Sequence, residues 1–259
     1  MPAVLAAMRT TLVLIASWQA VIMAFAPPRY ILPAPLDVAA AFQRQPLYLL
    51  NNALVTLTEI AAGFLAGTLA GVATALAIAS FPRLGRALWP VVLVLQAFPV
   101  FVIAPLLVLW FGFGMTSKVM MTALIIFFPV ASAFADGLRR TPPEILDAAA
   151  LTPASHQQTL FFLRVPLAVP ALVSGLRVAA PLAPLGAVIG EWVGASAGLG
   201  FVMVQANARM QTDTMFAAMA IIAVLALTLR NAVDAVAPLL TPWAWEGGFS
   251  STHQKRKTS

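Results

Sequence analysis

The sequence predicts an all-α, polytopic membrane protein, and three observations carry that prediction. Hydrophobic residues make up 61% and charged residues 9% of the 259-residue chain, against roughly 25% charged in an ordinary soluble domain. The apolar residues fall in runs separated by short polar breaks, leaving room for about six spans of roughly 20 residues and none for a second, soluble catalytic domain. The basic residues gather in alternate breaks, the asymmetry by which positive loops orient a membrane protein.

The same composition excludes several functions. The net charge is +6, but the basic residues are scattered except near the C-terminus, which does not make a nucleic-acid surface. Cysteine is absent, excluding disulfides, Cys-ligated metal and thiol chemistry. With only His156 and His253 in the chain, neither a metal cluster nor a Ser-His-Asp arrangement is expected, so the chain is not read as an enzyme and has no catalytic residues. There is no G-x-x-x-x-G-K-[ST], hence no P-loop for ATP. Energy has to come from a partner or a gradient.

The elements follow in order. Residues 1–26 carry Arg9 and then an apolar run ending Ala24-Phe25-Ala26. That ending resembles a signal-peptide cleavage site, but the run is long for a signal core and Pro27 blocks processing, so it is read as a first transmembrane helix. Residues 27–50, with Pro27, Pro28, Pro33, Pro35 and Pro46, form a connector outside the cytoplasm. Residues 51–80 are the second span; Gly63, Gly67 and Gly71, with Ala62, Ala66 and Ala70 beside them, smooth one helical face into a packing seam, within the protomer or between protomers. Glu59 in the same span needs a partner or water. Residues 81–86 form a short basic loop with Arg83 and Arg86. The third span, 88–111, contains Pro90, Pro99 and Pro105 and places Gln96 near a break, as a pathway residue or a satisfied core amide. The Gly112-Phe113-Gly114 turn and Lys118 lead to a fourth span, 119–135. A fifth, 167–190, contains Arg177, Pro181 and Pro184, and a sixth covers 216–240. Residues 241–259 are a cytoplasmic tail whose Ser, Thr, Lys and Arg content predicts disorder.

The polar interruption at 136–166 organises the rest. Thr141, Pro142, Pro143 and Glu144 read as a capping box with prolines in the first turn, opening a short helix over residues 145–151. Thr152 caps a second helix with Pro153 at its first position. Asp147-Ala148-Ala149, the turn after it, Ala154-Ser155 and the closing Val165-Pro166 resemble the EAA loop of binding-protein-dependent ABC importer permeases. Pro153 stands where that family has Gly, and fixes φ where Gly would free it. The resemblance implies a type I ABC importer permease (MetI-like) fold and a coupling segment of Glu144, Asp147, Ala148, Ala149, Pro153 and Ser155 that seats on an ATPase subunit. It also implies ATP-Mg held by that partner, no cofactor on this chain, a second copy of the chain in a homodimer, and an extracytoplasmic solute-binding protein.

The second informative stretch, residues 190–219, offers Glu191, Trp192, Gln205, Asn207, Arg209 and Gln211 close to the bilayer, with Gly190, Gly194 and Gly198 at helical spacing. The glycines predict a packed half-helix for part of it. Its Glu191-Trp192-Val193-Gly194-Ala195-Ser196, then Gly198-Leu199-Gly200, together with Leu32-Pro33-Ala34-Pro35, resembles the nitrate, sulfonate and taurine branch of these permeases. Residues 206–213, with 105–112 and 124–130, are more similar to the permeases of thiamine-precursor uptake. That likeness implies a hydroxymethylpyrimidine-type solute, with an aliphatic sulfonate, taurine or nitrate as the alternative. A flat ring rich in donors and acceptors suits Trp192, Gln205, Asn207 and Gln211; an anion would call for Arg177 and Arg209. Trp192 equally suits an interface anchor, and the polar side chains equally suit interfacial solvation. A self-contained secondary transporter would require an ionisable relay and duplicated halves. Only Glu59, Arg177, Arg230 and Asp234 approach a relay, and no duplication is visible. With both termini inside, Arg9, Arg83, Arg86, Arg139, Arg140, Arg164, Lys255, Arg256 and Lys257 face the cytoplasm and Arg29, Arg44, Lys118 and Arg209 the other side. The expected place is the bacterial inner membrane.

Overall fold

The computed structural model describes residues 2–244, which are helical nearly throughout, with no strand among them. Helix α1 (Pro2–Phe25) is followed by a feature the sequence reading missed, α2 (Pro35–Arg44), inside the connector. Pro35 opens it, and Asp37 in its first turn accepts a hydrogen bond from the Ala34 amide at 3.3 Å, so the local signal for a helix start was present. Val38 and Ala41 of α2 bury against Leu199, Val202, Ala217 and Ala218. The connector is therefore a packed cover and not a free loop.

Helix α3 (Pro46–Ser80) starts earlier than the expected residue 51, again with proline in its first turn. Its glycine seam lies within the protomer, against α6 (Met115–Arg139). A Cβ on Gly67 would stand 2.6 Å from the Ala123 carbonyl oxygen, and one on Gly71 would stand 3.0 Å from the Phe127 carbonyl oxygen. The two backbones thus touch, which is how helices gain attraction in lipid. The expected basic loop at 81–86 is helix instead: α4 (Pro82–Ala97) begins at Pro82, and Arg83 and Arg86 ride its first turns. Of the three prolines in the third span only Pro99 breaks it, because Phe98 is held extended before it; α5 (Val100–Phe111) then resumes. The Gln96 side chain, expected near this break, lies outside the described residues.

After α6, α7 (Pro143–Ala150) and α8 (His156–Thr159) form the coupling segment. A π turn, Leu160–Arg164, carries the chain into α9 (Val165–Ala179), and a 3₁₀ turn, Ala180–Leu182, joins α9 to α10 (Ala183–Gly194). These irregular turns sit where Pro166, Pro181 and Pro184 withhold amide donors. Helices α11 (Leu199–Ala208) and α12 (Thr212–Leu240) complete the fold. Of the predicted tail, Pro242–Ala244 forms a 3₁₀ turn, and the rest lies outside the described residues.

Four stretches are long and apolar enough to cross a bilayer: Pro46–Ser80, Met115–Arg139, His156–Gly194 and Thr212–Leu240. The first and third expected spans correspond to α1, apolar over Arg9–Phe25, and to the broken α4–α5 pair. Buried Ile60, Ile126, Val130, Ala179, Ala183 and Ala187 form the central core between α3, α6, α9 and α10. Leu65, Leu69, Leu109, Val224 and Leu227 point outward, more than half exposed, as a lipid-facing surface requires.

Candidate functional site

Helix α3 presents Asn52, Thr56 and Glu59 on one face, at the i, i+4, i+7 spacing of a helical stripe, and all are buried. Facing them is the break between α10 and α11. Glu191, 2% exposed, accepts from the Thr56 hydroxyl at 2.6 Å with one carboxylate oxygen and from the Gly200 amide with the other. Thr56 in turn accepts from the Leu199 amide at 2.8 Å, and Asn52 from the Gly198 amide at 2.7 Å. Three successive amides at the start of α11 thus find side-chain acceptors, the partners that a helix N-terminus lacks on its own. Gly198 has φ +109°, and a Cβ there would collide with the Glu191 carboxylate. Only glycine satisfies both demands.

Glu59 approaches the Glu191 carboxyl, and the Lys118 ammonium lies near both. Lys118 is buried at 4% exposure and donates to the Phe113 and Gly114 carbonyls. It was expected on an extracytoplasmic loop; it is instead part of this buried polar cluster, because α6 begins at Met115, earlier than residue 119. Asn52, Thr56 and Lys118 are the residues the sequence reading missed here, and the α3 stripe was the signal that held two of them. The glycine spacing was legible: α10 ends at Gly194, and Gly190 packs on Lys118 and Gly194 on Phe113.

In front of this lock the structure brings together four expected pathway residues. Glu191, Trp192, Gln205 and Arg209 line a cleft of 340 Å³ with Phe201 and Val204. Trp192 is 52% exposed. Gln205 and Arg209 also line an adjoining 320 Å³ cleft with Tyr48 and Gln211. Asn207 is exposed and lines neither. Arg177 is elsewhere: its Nε donates to Asp234 at 2.6 Å, and Arg230 donates to the other Asp234 oxygen at 3.1 Å, tying α9 to α12. Glu59 and the Arg177–Asp234–Arg230 group belong to separate clusters, so they do not form one ionisable relay.

The connector closes over the same end of the molecule. Arg44 pairs with Asp213 at 2.9 Å, and the Thr212 hydroxyl donates to the Arg29 carbonyl at 2.7 Å. The start of α12 is thereby fastened to the last residue of α2 and to the chain before it.

The coupling segment departs from expectation in its caps. Thr141 does not cap α7: its hydroxyl turns back to the Leu138 carbonyl at 3.3 Å, and Pro142 holds the N-cap position without a side-chain bond. The second helix starts at His156 and not at Pro153. Ser155 is its cap, in a capping box with Gln158, while the Thr152 hydroxyl donates to the Ala149 carbonyl at 2.7 Å. A serine hydroxyl followed three residues later by glutamine closes both orphan amides, which outweighs a proline start. Pro153 is left in the turn. No residue of α7 is buried; Glu144, Asp147 and Ala148 are exposed, Ala149 is half-buried, and Leu151 at the turn is 91% exposed. The segment's two ends are joined, since Arg164 donates twice to the Leu138 carbonyl, at 3.1 and 2.8 Å.

The profile of the family described as "Binding-protein-dependent transport system inner membrane component" matches residues 63–245. A probable ABC transporter permease protein of Haemophilus influenzae is 47% identical over 86% of this chain and 91% of its own length. The riboflavin transport system permease RibX of Chloroflexus aurantiacus is 35% identical over 90% of this chain and 88% of its own. The formylaminopyrimidine transport permease ThiX of Halalkalibacterium halodurans is 31% identical over 83% and 86%. Permeases named for taurine and aliphatic sulfonates match as well. In structure, a chain of the MetNI methionine ABC transporter superposes with a TM-score of 0.67 at 16% identity, covering 76% of this chain and 98% of that one.

Proposed function

The chain belongs to the family of binding-protein-dependent transport system inner membrane components, and on that premise we propose that its solute is a thiamine-precursor pyrimidine of the hydroxymethylpyrimidine type. It is the permease of an ABC importer for a small solute, in the nitrate, sulfonate and taurine branch. It is a multi-pass inner-membrane protein and not an enzyme.

The observation that carries the cargo reading is the cleft in which Trp192 and Phe201 supply flat apolar faces and Gln205 and Arg209 supply polar groups, with Glu191 locked behind. A planar heterocycle stacks on an indole and takes directional hydrogen bonds from amides. Relatives named for riboflavin and formylaminopyrimidine support a planar nitrogen ring. Arg209 in the same cleft favours the second reading, an organic sulfonate, taurine or nitrate, because a guanidinium grips such oxyanions in two-point fashion.

In the mechanism we infer, two copies of the chain form a homodimer with the path between them, both termini in the cytoplasm. Each α7, with Glu144, Asp147, Ala148 and Ala149, the Pro153 turn and Ser155, seats on an ATPase subunit that holds the ATP-Mg. Closure of the ATPase pair moves the segment, and the Arg164–Leu138 tie passes that motion to α6 and α9 together. The extracytoplasmic solute-binding protein docks where α2 covers the turn between α11 and α12. The path then alternates between two packings of the same helices.

The test is ligand-stimulated ATPase activity of the permease, ATPase and binding protein in proteoliposomes. Stimulation by a hydroxymethylpyrimidine, and not by taurine or an alkane sulfonate, is the expected result. Stimulation by the anions alone overturns the pyrimidine reading.

A further inference from the structure

At the other end of the molecule from the cleft, the ends of four helical stretches surround a pocket of 450 Å³ that no part of the transport mechanism uses as a site. Its walls combine two characters. Arg86 on the first turns of α4, Arg139 on the last turn of α6 and Arg164 in the π turn after the coupling segment supply positive charge, and His156 at the start of α8 lines the pocket beside them. Ile78 and Trp89 supply an apolar floor. The Arg139 guanidinium lies 4.7 Å over the Trp89 ring, which holds it against the pocket wall. Arg164 is fixed by its two bonds to the Leu138 carbonyl, and His156 Nε2 lies 3.0 Å from the Ala79 carbonyl oxygen.

No carboxylate among the described residues forms an ion pair with these arginines; the ion pairs present there involve Arg44, Arg177 and Arg230. Asp136, one turn before Arg139, is no exception. Three arginines thus line one pocket without a paired carboxylate among the described residues, and an anion placed there is attracted by all three. Arg86 and Arg139 lie within a turn or so of membrane-helix ends, so the pocket sits at the level where lipid headgroups lie. A soluble anion has no use for the apolar floor; a phospholipid matches both halves, its phosphate to the arginines and its glycerol and upper acyl carbons to Ile78 and Trp89.

We propose that this pocket binds the phosphate headgroup of an anionic phospholipid. Bound there, the lipid bridges the ends of α3, α4 and α6 beside the joint through which the coupling segment moves. The proposal rests on the orientation given above only for the leaflet that supplies the lipid, the cytoplasmic one.

The experiment uses the full-length permease in detergent, offered phosphatidylglycerol, phosphatidylcholine or inorganic phosphate, with bound species counted by native mass spectrometry. Three variants accompany the native chain: R86Q/R139Q, the single R86Q at an exposed position, and a charge-matched control, R83Q/R140Q, outside the pocket. The expected result is retention of phosphatidylglycerol over phosphatidylcholine by the native chain and by R83Q/R140Q. Retention falls roughly fivefold in R86Q and further in R86Q/R139Q. Equal retention of the two lipids, equal loss in R83Q/R140Q, or displacement of the lipid by inorganic phosphate overturns the proposal. None of these readouts involves solute or transport, so failure here leaves the permease reading intact, and failure of the cargo reading leaves this site intact.

Discussion

Glu191 divides its two carboxylate oxygens between α3 and the start of α11, and that division fixes the shape of the cleft beside it. Replacing Glu191 with Ala orphans the buried Gly200 amide and leaves the Thr56 hydroxyl to donate only to the Asn52 carbonyl, at 3.2 Å, which costs about 2–3 kcal/mol. The thermal unfolding midpoint in detergent should fall, whereas Glu191→Gln, which keeps one acceptor, falls less; equal midpoints for the two would contradict the lock. Glycine gives a second check at this scale. Gly198 and Gly112 both have positive φ, +109° and +78°, but only Gly198 has a neighbour in the way. Gly198→Ala therefore costs about 3 kcal/mol and Gly112→Ala about 1 kcal/mol, and similar losses would show that the Glu191 contact is slack. The sequence singles out Glu191, Trp192, Gln205 and Arg209 because polar residues are rare so near a bilayer, and these four line one cleft. It hid Lys118, because a lysine shortly after a Gly-x-Gly turn reads as a loop charge unless the helix start is known.

At the scale of elements, the glycine seam and the coupling segment make opposite demands. The seam tolerates no added atom: Gly67→Leu drives a side chain into the Ala123 carbonyl and forces α3 off α6. Overpacking of that kind costs about 1–3 kcal/mol or more, read as a loss of folded permease in detergent. Asp147 on α7 and Leu151 just after it are exposed, so Asp147→Arg and Leu151→Asp should leave the unfolding midpoint unchanged while lowering ligand-stimulated ATPase activity about tenfold, as loss of an interface anchor does. Unchanged activity in both would remove this segment from the ATPase contact. Helix identities here were legible from proline and apolar runs. The caps were not, because Thr141 and Ser155 both head plausible capping boxes, and only packing decides that Thr141 turns its hydroxyl to α6. The break at Pro99 rather than Pro90 or Pro105 was equally hidden, since all three prolines carry the same local signal.

For the molecule as a whole, the helical membrane fold followed from composition and run length, but how its faces are covered did not. The glycines of α3 announced close approach without naming the partner, which proved to be α6, and the connector gave no hint that α2 would cover the turn between α11 and α12. The orientation we propose rests on the distribution of basic residues, and the absence of cysteine makes it directly measurable. A single cysteine at Leu151 should react with an impermeant maleimide only from the cytoplasmic side, and one at Leu36, 80% exposed in the connector, only from the opposite side. Labelling of both from one side would contradict the topology. In the function proposed here, the cleft at the break between α10 and α11 recognises a planar heterocycle. ATP-driven uptake of a labelled hydroxymethylpyrimidine into proteoliposomes tests it most directly, comparing the native assembly with Trp192→Ala and Gln205→Ala. Uptake should fall about tenfold in Trp192→Ala, and fall also in Gln205→Ala, at unchanged unfolding midpoint and basal ATPase activity. Undiminished uptake in both variants would contradict that recognition.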